Sequence, residues 1–397
     1  MSTTRLYYQN PYQKLAETAI TAEKKAEEGW WFSFAETVFY PEGGGQAADT
    51  GLINHEHVLD VQSEEREVWH LLPAKISNPV KMQLDWDKRY ANMQQHTGQH
   101  ILSACFKDRH NLDTVAVHLG SDITMIELKT ETLDQKTLKD TENAANKIIG
   151  QGLPVKPLWV NLEELGDIKL RRSIKKAQDD IRLIEIGDID RVGCGGIHVR
   201  STSEVGLIKI VGLEKIRNHV RVQIRIGPSA YLYFEELHQV FQKISNRLTT
   251  SVAELPVRIE TLLADQKAQA RQLSRVNDLW MKTTAETLAE GPQAGCFLLN
   301  ELNGAHLKTL SESWLNKHQR ACLFVSRDQA RMYFFIRLPD KSPLNLQEFL
   351  NKNRAEFSLR GGGSKEFASG QIDDLRMDQP RINLLFQKFA EFQKAGG

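Results

Sequence analysis

Two short, equally spaced pairs of metal-binding side chains constrain this fold more than anything else in the chain. They are His96-Thr97-Gly98-Gln99-His100 and Cys194-Gly195-Gly196-Ile197-His198. On a helix, positions i and i+4 share a face, so His96 and His100 can grip one ion together. Cys194 and His198 have the same gap, but the glycines between them point to a loop wrapping an ion. Neutral imidazole and thiolate are the donors that select zinc. A lone His-x-x-x-His is commonly just a helix face. The second pair, with its cysteine, makes a shared Zn2+ site of His96, His100, Cys194 and His198 the expectation. No Glu stands beside His96, where a zinc-protease helix keeps its general base, so that chemistry is not matched.

The chain has 397 residues, more than one ordinary domain of roughly 100–200. Hydrophobic residues make up 41% and charged residues 26%, a globular balance that excludes wholesale disorder. No apolar run approaches the ~18 residues of a membrane span, and the first residues lack an apolar signal core. Four cysteines in so long a chain do not make a disulfide framework. Cys105, Cys296 and Cys322 lie in apolar settings and read as core thiols. A cytoplasmic protein with no membrane partner is expected.

The pattern along the chain predicts an α+β protein. Residues 1–90 are mostly short strands, such as 30–34 and 68–72, split by turn-forming stretches, and are expected to form a β-barrel-like domain. Residues 91–228 read as an α+β metal-binding domain, with helices near 90–105 and 133–150 and strands near 115–119, 123–128 and 220–226. Residues 229–290 carry a heptad-like seam through Leu237, Phe241, Ile244, Leu248, Val252, Leu255, Ile259 and Leu262, the mark of a coiled-coil arm. Pro256 should kink that arm or split it. The arm is either an internal hairpin or a dimerising coiled coil, and a homodimer through it or through the last domain is the matching expectation. Residues 291–397 alternate strand and helix as a small α/β domain, with Gly361-Gly362-Gly363-Ser364-Lys365 in its last loop.

The ligand pairs follow Thr37-Val38-Phe39-Tyr40-Pro41-Glu42-Gly43-Gly44-Gly45-Gln46. In that order they resemble the editing domain of alanyl-tRNA synthetase and of the free-standing editing proteins related to it. The likeness extends to His118-Leu119-Gly120, to Glu204-Val205-Gly206 and to the strand around Arg221. The segment 360–370 resembles the small domain that ends alanyl-tRNA synthetases and a family of phosphodiesterases. An Asp-His-His run, which phosphodiesterase chemistry would need, is missing. The editing-like region starts near the N-terminus, with no space before it for a synthetase domain, so ATP-independent action is expected.

The resemblance implies a long-form trans-editing hydrolase that removes serine, with glycine as a second candidate, from mischarged tRNA(Ala). Water would cleave the aminoacyl ester with metal assistance. A zinc-bound water reaches a pKa near ~7, and a bound carbonyl is polarised. Four protein ligands, however, fill a tetrahedral zinc. The ion is therefore either a Lewis acid and substrate positioner or structural, and the competing reading is a non-catalytic tRNA-binding module. A synthetase pocket rejects an added hydroxyl by only ~10²-fold, so a second site that bonds the hydroxyl can separate serine from alanine. The resemblance assigns Thr37 to that hydroxyl and Gln46 to the substrate or the attacking water. Gly43, Gly44 and Gly45 would line the pocket with backbone N–H groups, and His118 would stand near it.

Lys+Arg and Asp+Glu each number 51, a net charge of +0, which by itself argues against RNA. Local islands answer this. Lys169, Arg171, Arg172, Lys175 and Lys176 form one, and residues 209–225, including Arg221, form another. They could neutralise phosphates while acidic faces elsewhere cancel the sum. Gly362, Gly363 and Lys365 would offer backbone N–H groups and an ammonium to a phosphate.

Overall fold

The computed structural model describes residues 2–166, 168–174, 181–288, 295–328, 331–373 and 377–395. Lys175 and Lys176 lie outside them. Contacts divide the chain into two compact units, Met1–Arg247 and Leu248–Gly397.

The first unit begins with strands. Leu15–Thr18, Val80–Leu84, Gly51–Ile53 and Glu56–His57 form one antiparallel sheet, and Ile20–Lys25, Trp30–Phe34, Glu67–Leu72 and Asp60–Glu64 form another. Phe32, Phe34, Ile53, Val68, Val80 and Met82, drawn from both sheets, share one buried cluster. The expected barrel does not close. Closure requires a continuous ladder, whereas here one outer strand, Glu56–His57, is two residues long. Asp60–Glu64, an outer strand of the second sheet, is polar and exposed at its far end. Residues between 37 and 51 are spent on a turn that serves the site.

The Trp86–His110 helix follows, capped by the Asp85 carboxylate on the Lys88 N–H and ended by Asn111 in the left-handed region. Beside it lie an antiparallel sheet in the order Thr114–Leu119, Thr124–Leu128, His219–Ile226, Ile208–Ile216, and the Gln135–Gln151 helix. That helix runs past the expected Gly150 and stops at Gly152, whose φ is +63°. A further sheet joins Val155–Val160, Ile181–Ile186 and Asp190–Gly193. Met93, Ile101, Leu102, Phe106, Ile126, Val222 and Ile224 make the core.

The expected arm is two helices, Pro228–Leu248 and Leu255–Thr287. Thr249 adopts a left-handed φ of +51° between them. Pro256 sits in the first turn of the second helix, where its missing N–H costs nothing, so it begins a helix and kinks none. Phe241, Ile244, Ile259 and Leu262 of the seam are exposed.

In the second unit a five-stranded sheet runs Cys296–Asn300, Cys322–Arg327, Met332–Arg337, Phe367–Ile372, Leu359–Gly363. Its first pair is parallel, joined through the Gly304–His318 helix, and the rest are antiparallel. Met281 and Ala285 of the Leu255–Thr287 helix pack with Leu307, Leu310 and Trp314. Gly361, Gly362 and Gly363 were expected in a loop but lie in the outer strand. A Cβ on Gly361 or Gly363 would fall 2.1 or 2.0 Å from the carbonyl oxygen of Ser369 or Phe367. Glycine permits that close ladder, and the turn is made by Ser364, Lys365 and Glu366. Among the described residues no helix is long and apolar enough to cross a membrane.

Candidate metal centre

Burying polar side chains is costly unless each finds a partner. The Trp86–His110 helix nevertheless buries a polar run broken only by Gly98: Gln94, Gln95, His96, Thr97, Gln99 and His100. The partners are specific. Gln94 Nε2 donates to the Glu204 carbonyl at 2.6 Å, Gln95 Nε2 to the Ser121 carbonyl at 3.1 Å, and Gln99 Nε2 to Ser103 Oγ at 2.8 Å. Such a helix is built to hold chemistry inside the core.

His96 and His100 project from it toward Cys194 and His198, and the four ligand atoms lie within 4.8 Å of one another. Cys194 Sγ is 3.4 Å from His96 Nε2 and 3.4 Å from His198 Nε2. Tetrahedral bonds of ~2.0–2.3 Å to nitrogen and sulfur give donor separations of about 3.3–3.7 Å, so these donors are spaced to share one ion. Burial would push the Cys194 thiol up, but the charges of His96 and His100, with hydrogen bonds from His100 and His198, hold it well below its ordinary range. A thiolate is the form a metal needs. The donor set thus fits a metal ion.

Each imidazole is oriented from behind, as metal-binding histidines usually are. His96 Nδ1 donates to Gln46 Oε1 at 2.8 Å, and the same oxygen accepts the Ile197 N–H at 3.2 Å. His198 Nδ1 lies 3.1 Å from Thr97 Oγ1, which donates to the Met93 carbonyl and accepts the Val199 N–H. His100 Nδ1 faces the buried Asp190 carboxylate at 3.5 Å, and Arg171 grips that carboxylate through Nε at 2.7 Å. Gly196 closes the loop against the helix: a Cβ there would lie 2.1 Å from His96 Cε1.

Gln46 ends a tight turn. Gly43 and Gln46 exchange backbone hydrogen bonds, and Gly44 and Gly45 take φ of +61° and +85°, a pair open to glycine. The Gly45 carbonyl accepts the Leu119 N–H at 3.4 Å, which ties the turn to the strand carrying the exposed His118. Asp49 anchors the segment from below: its carboxylate pairs with the buried Arg89 and accepts the Tyr40 N–H. Gln46 Nε2 is buried without a partner.

Thr37 is fully buried. His70 Nδ1 is 3.4 Å from the Phe32 carbonyl, which can only accept, so the proton sits there and Nε2 accepts from Thr37 Oγ1 at 2.8 Å. Burial lowers the His70 pKa to about 3, keeping the ring neutral. Thr37 Oγ1 also accepts the Phe39 N–H at 3.1 Å, leaving one lone pair free.

Of the basic residues, Lys169, Arg172 and Lys365 are exposed. Arg171 is engaged with Asp190, and Arg221 pairs with Glu127 and Glu214. Sequence reasoning missed Thr97, Asp190 and His70. Thr97 stands between the two ligands and was legible as a neighbour. Asp190 and His70 sit in ordinary strand patterns and carry no signal until the chain is folded.

Residues 181–222 match the family model described as the threonyl and alanyl tRNA synthetase second additional domain. The chain is similar to the alanyl-tRNA editing protein AlaX-L of Pyrococcus horikoshii, 29% identical over 93% of this chain and 94% of that one. It is also 33% identical to the alanine–tRNA ligase of Sulfurisphaera tokodaii, over 70% of this chain but only 32% of the ligase. Among solved structures, the C-Ala domain of Aquifex aeolicus alanyl-tRNA synthetase aligns with 24% of this chain and 88% of its own, at 16% identity and a TM-score of 0.22.

Proposed function

We propose, from the premise that this chain resembles the long-form, free-standing alanyl-tRNA editing proteins along nearly its whole length, that it is a cytoplasmic, ATP-independent deacylase acting in trans on Ser-tRNA(Ala) and, second, on Gly-tRNA(Ala). The observation that carries this is the buried cluster of His96, His100, Cys194 and His198 beside the unpartnered Gln46 Nε2. Three imidazoles and a thiolate suit Zn2+, which when bound would supply Lewis-acid polarisation or positioning of an ester.

The chain's own residues do the rest. Gln46 Oε1 fixes His96, and its free Nε2–H can donate to the ester carbonyl or hold the attacking water. Thr37, whose proton is given to His70, can only accept, so it suits the hydroxyl of a seryl group and offers nothing to an alanyl methyl. Gly43, Gly44 and Gly45 keep side chains out of the approach, and His118 borders it. Exposed Lys169, Arg172 and Lys365, with Lys175 and Lys176, would meet tRNA phosphates. Exposed Leu263, Leu273, Val276 and Leu279 of the Leu255–Thr287 helix support a homodimer through that helix.

The test is incubation with Ser-tRNA(Ala), Gly-tRNA(Ala) and Ala-tRNA(Ala). Loss of the serine ester well above background, with alanine spared, is expected. Tight tRNA binding without loss of any ester would leave a non-catalytic tRNA-binding module.

A further inference from the structure

The three imidazoles of the metal cluster have their orienting partners in Gln46, Thr97 and Asp190. Cys194 is held differently, through the backbone of its own loop. Its Sγ accepts the Gly196 N–H at 3.3 Å, which fixes the sulfur only if the loop is itself fixed. The carbonyls of Cys194, Gly195 and Gly196 are each gripped by a side chain. Arg182 Nη1 donates to those of Cys194 and Gly196, both at 2.7 Å. Tyr8 Oη donates to that of Gly195, between them, at 2.8 Å. The Arg182 guanidinium lies over the Tyr8 ring at 4.8 Å, so the two donors brace each other. Among the described residues no carboxylate pairs with Arg182, and its Nε is buried without a partner. Taking a guanidinium partly out of water in this way is costly, and the two loop carbonyls are what it serves.

Tyr8 reaches the loop from far along the chain, and the segment carrying it touches the rest of the site on the way. Thr4–Arg5 pairs in parallel with Glu36–Thr37, with Arg5 opposite Thr37. The single helical turn Leu6–Gln9 follows. Neighbours on a helix point about 100° apart, so Tyr7 and Tyr8 serve different sides. Tyr7 is buried and meets Tyr40 edge-on at 5.4 Å. Tyr40 Oη in turn donates to the Gly43 carbonyl at 3.2 Å. Residues 4–8 therefore bind the strand of Thr37, the Gly-rich turn and the Cys194 loop into one frame.

We propose that residues 4–8 and Arg182 form a positioning strap, which sets Cys194 and the ion it would hold against Thr37. Tyr8 and Arg182 are positioning residues that act through the loop backbone. This rests on the metal-dependent deacylase reading above and adds what places the metal relative to the residue assigned to the seryl hydroxyl. One Arg182 nitrogen supplies both bonds, to carbonyls two residues apart, while the guanidinium lies on Tyr8. A lysine ammonium has the charge but not the plane.

The full chain is loaded with Zn2+ or Co2+ and measured first without RNA. Arg182→Met keeps the stem, removes the donors, and should lower zinc affinity roughly 10- to 100-fold. Arg182→Lys should recover only part of that loss. Tyr8→Phe keeps the ring, removes one hydrogen bond, and should weaken zinc about 2- to 10-fold. In metal-saturated Arg182→Met and Tyr8→Phe the thiolate-to-cobalt charge-transfer band should shift or weaken, which lost folding stability alone does not produce. At saturating zinc, Tyr8→Phe should narrow the discrimination between Ser-tRNA(Ala) and Ala-tRNA(Ala). Wild-type zinc affinity and cobalt spectrum in Arg182→Met overturn the proposal. Where that variant does not fold, the same result in Tyr8→Phe overturns it. Full recovery by Arg182→Lys overturns it too, because charge alone would then suffice. So does unchanged discrimination beside an altered cobalt band, which would confine the grip to the metal. A wild type that takes up neither ion sinks the metal reading itself. A wild type that holds zinc through Arg182 but leaves every ester intact sinks only the deacylase reading.

Discussion

Replacing Gln46 separates the two ends of one side chain. Its Oε1 accepts from His96 Nδ1 at 2.8 Å and from the Ile197 N–H at 3.2 Å, and the residue is 1% exposed. Gln46→Ala orphans both donors. The Ile197 N–H is buried whether or not a metal is present, so its loss falls on folding, at about 1–3 kcal/mol. The His96 bond orients a ligand, and losing such a partner weakens metal affinity by roughly 10- to 100-fold, or about 1.4–2.8 kcal/mol. Gln46→Glu keeps an acceptor for both donors but removes the unpartnered Nε2. It should hold zinc within a few-fold of wild type while losing most deacylation. Affinity is read by competition with a chromophoric chelator, stability by urea melts, and activity on Ser-tRNA(Ala). Wild-type zinc affinity in Gln46→Ala would refute the orienting role. Full activity in Gln46→Glu would refute any role for Nε2.

The other predictions are simpler. Gly196→Ala should abolish zinc retention, because its Cβ would lie 2.1 Å from His96 Cε1; metal analysis of the purified variant decides it. Cys194→Ala or His96→Ala should lose metal and deacylation together, and a chelator should do the same to the wild type, with zinc restoring activity; activity that outlasts complete metal removal would leave the ion structural. His70 is neutral when folded, with its pKa lowered to about 3, whereas unfolded histidine titrates near ~6.5. The unfolded chain therefore binds the extra proton between those values, so this contribution is present above about 6.5 and is lost as pH falls toward 3. The slope is up to ~1.4 kcal/mol per pH unit, and His70→Asn should flatten urea-melt stability against pH in that window. An unchanged slope would contradict the neutral ring. The same variant frees the Thr37 hydroxyl, and discrimination between Ser-tRNA(Ala) and Ala-tRNA(Ala) should fall.

The sequence by itself determined the parts whose signal is local. Histidines four apart name a helix face, as the Trp86–His110 helix bears out, and Cys194 and His198 carry their chemistry in their identity. The heptad seam announced helices, a short apolar run announced the strand 30–34, and alternation announced 220–226, observed as His219–Ile226. What remained hidden depends on partners far apart in the chain. Three glycines read as a loop at 361–363, because only the paired strand reveals that a Cβ would strike a carbonyl. Pro256 read as a kink or a split; the arm is indeed two helices, but the first ends at the left-handed Thr249, before the proline. A barrel was expected because strand count says nothing about whether the outer edges meet. Arg171 read as free charge until Asp190 was brought to it. Ligand identity is a property of side chains and is written in order along the chain. Tautomer, orientation and unpartnered atoms are set by contacts between distant segments, and only the tertiary structure decided that Gln46, Thr97 and Asp190 stand behind the three histidines.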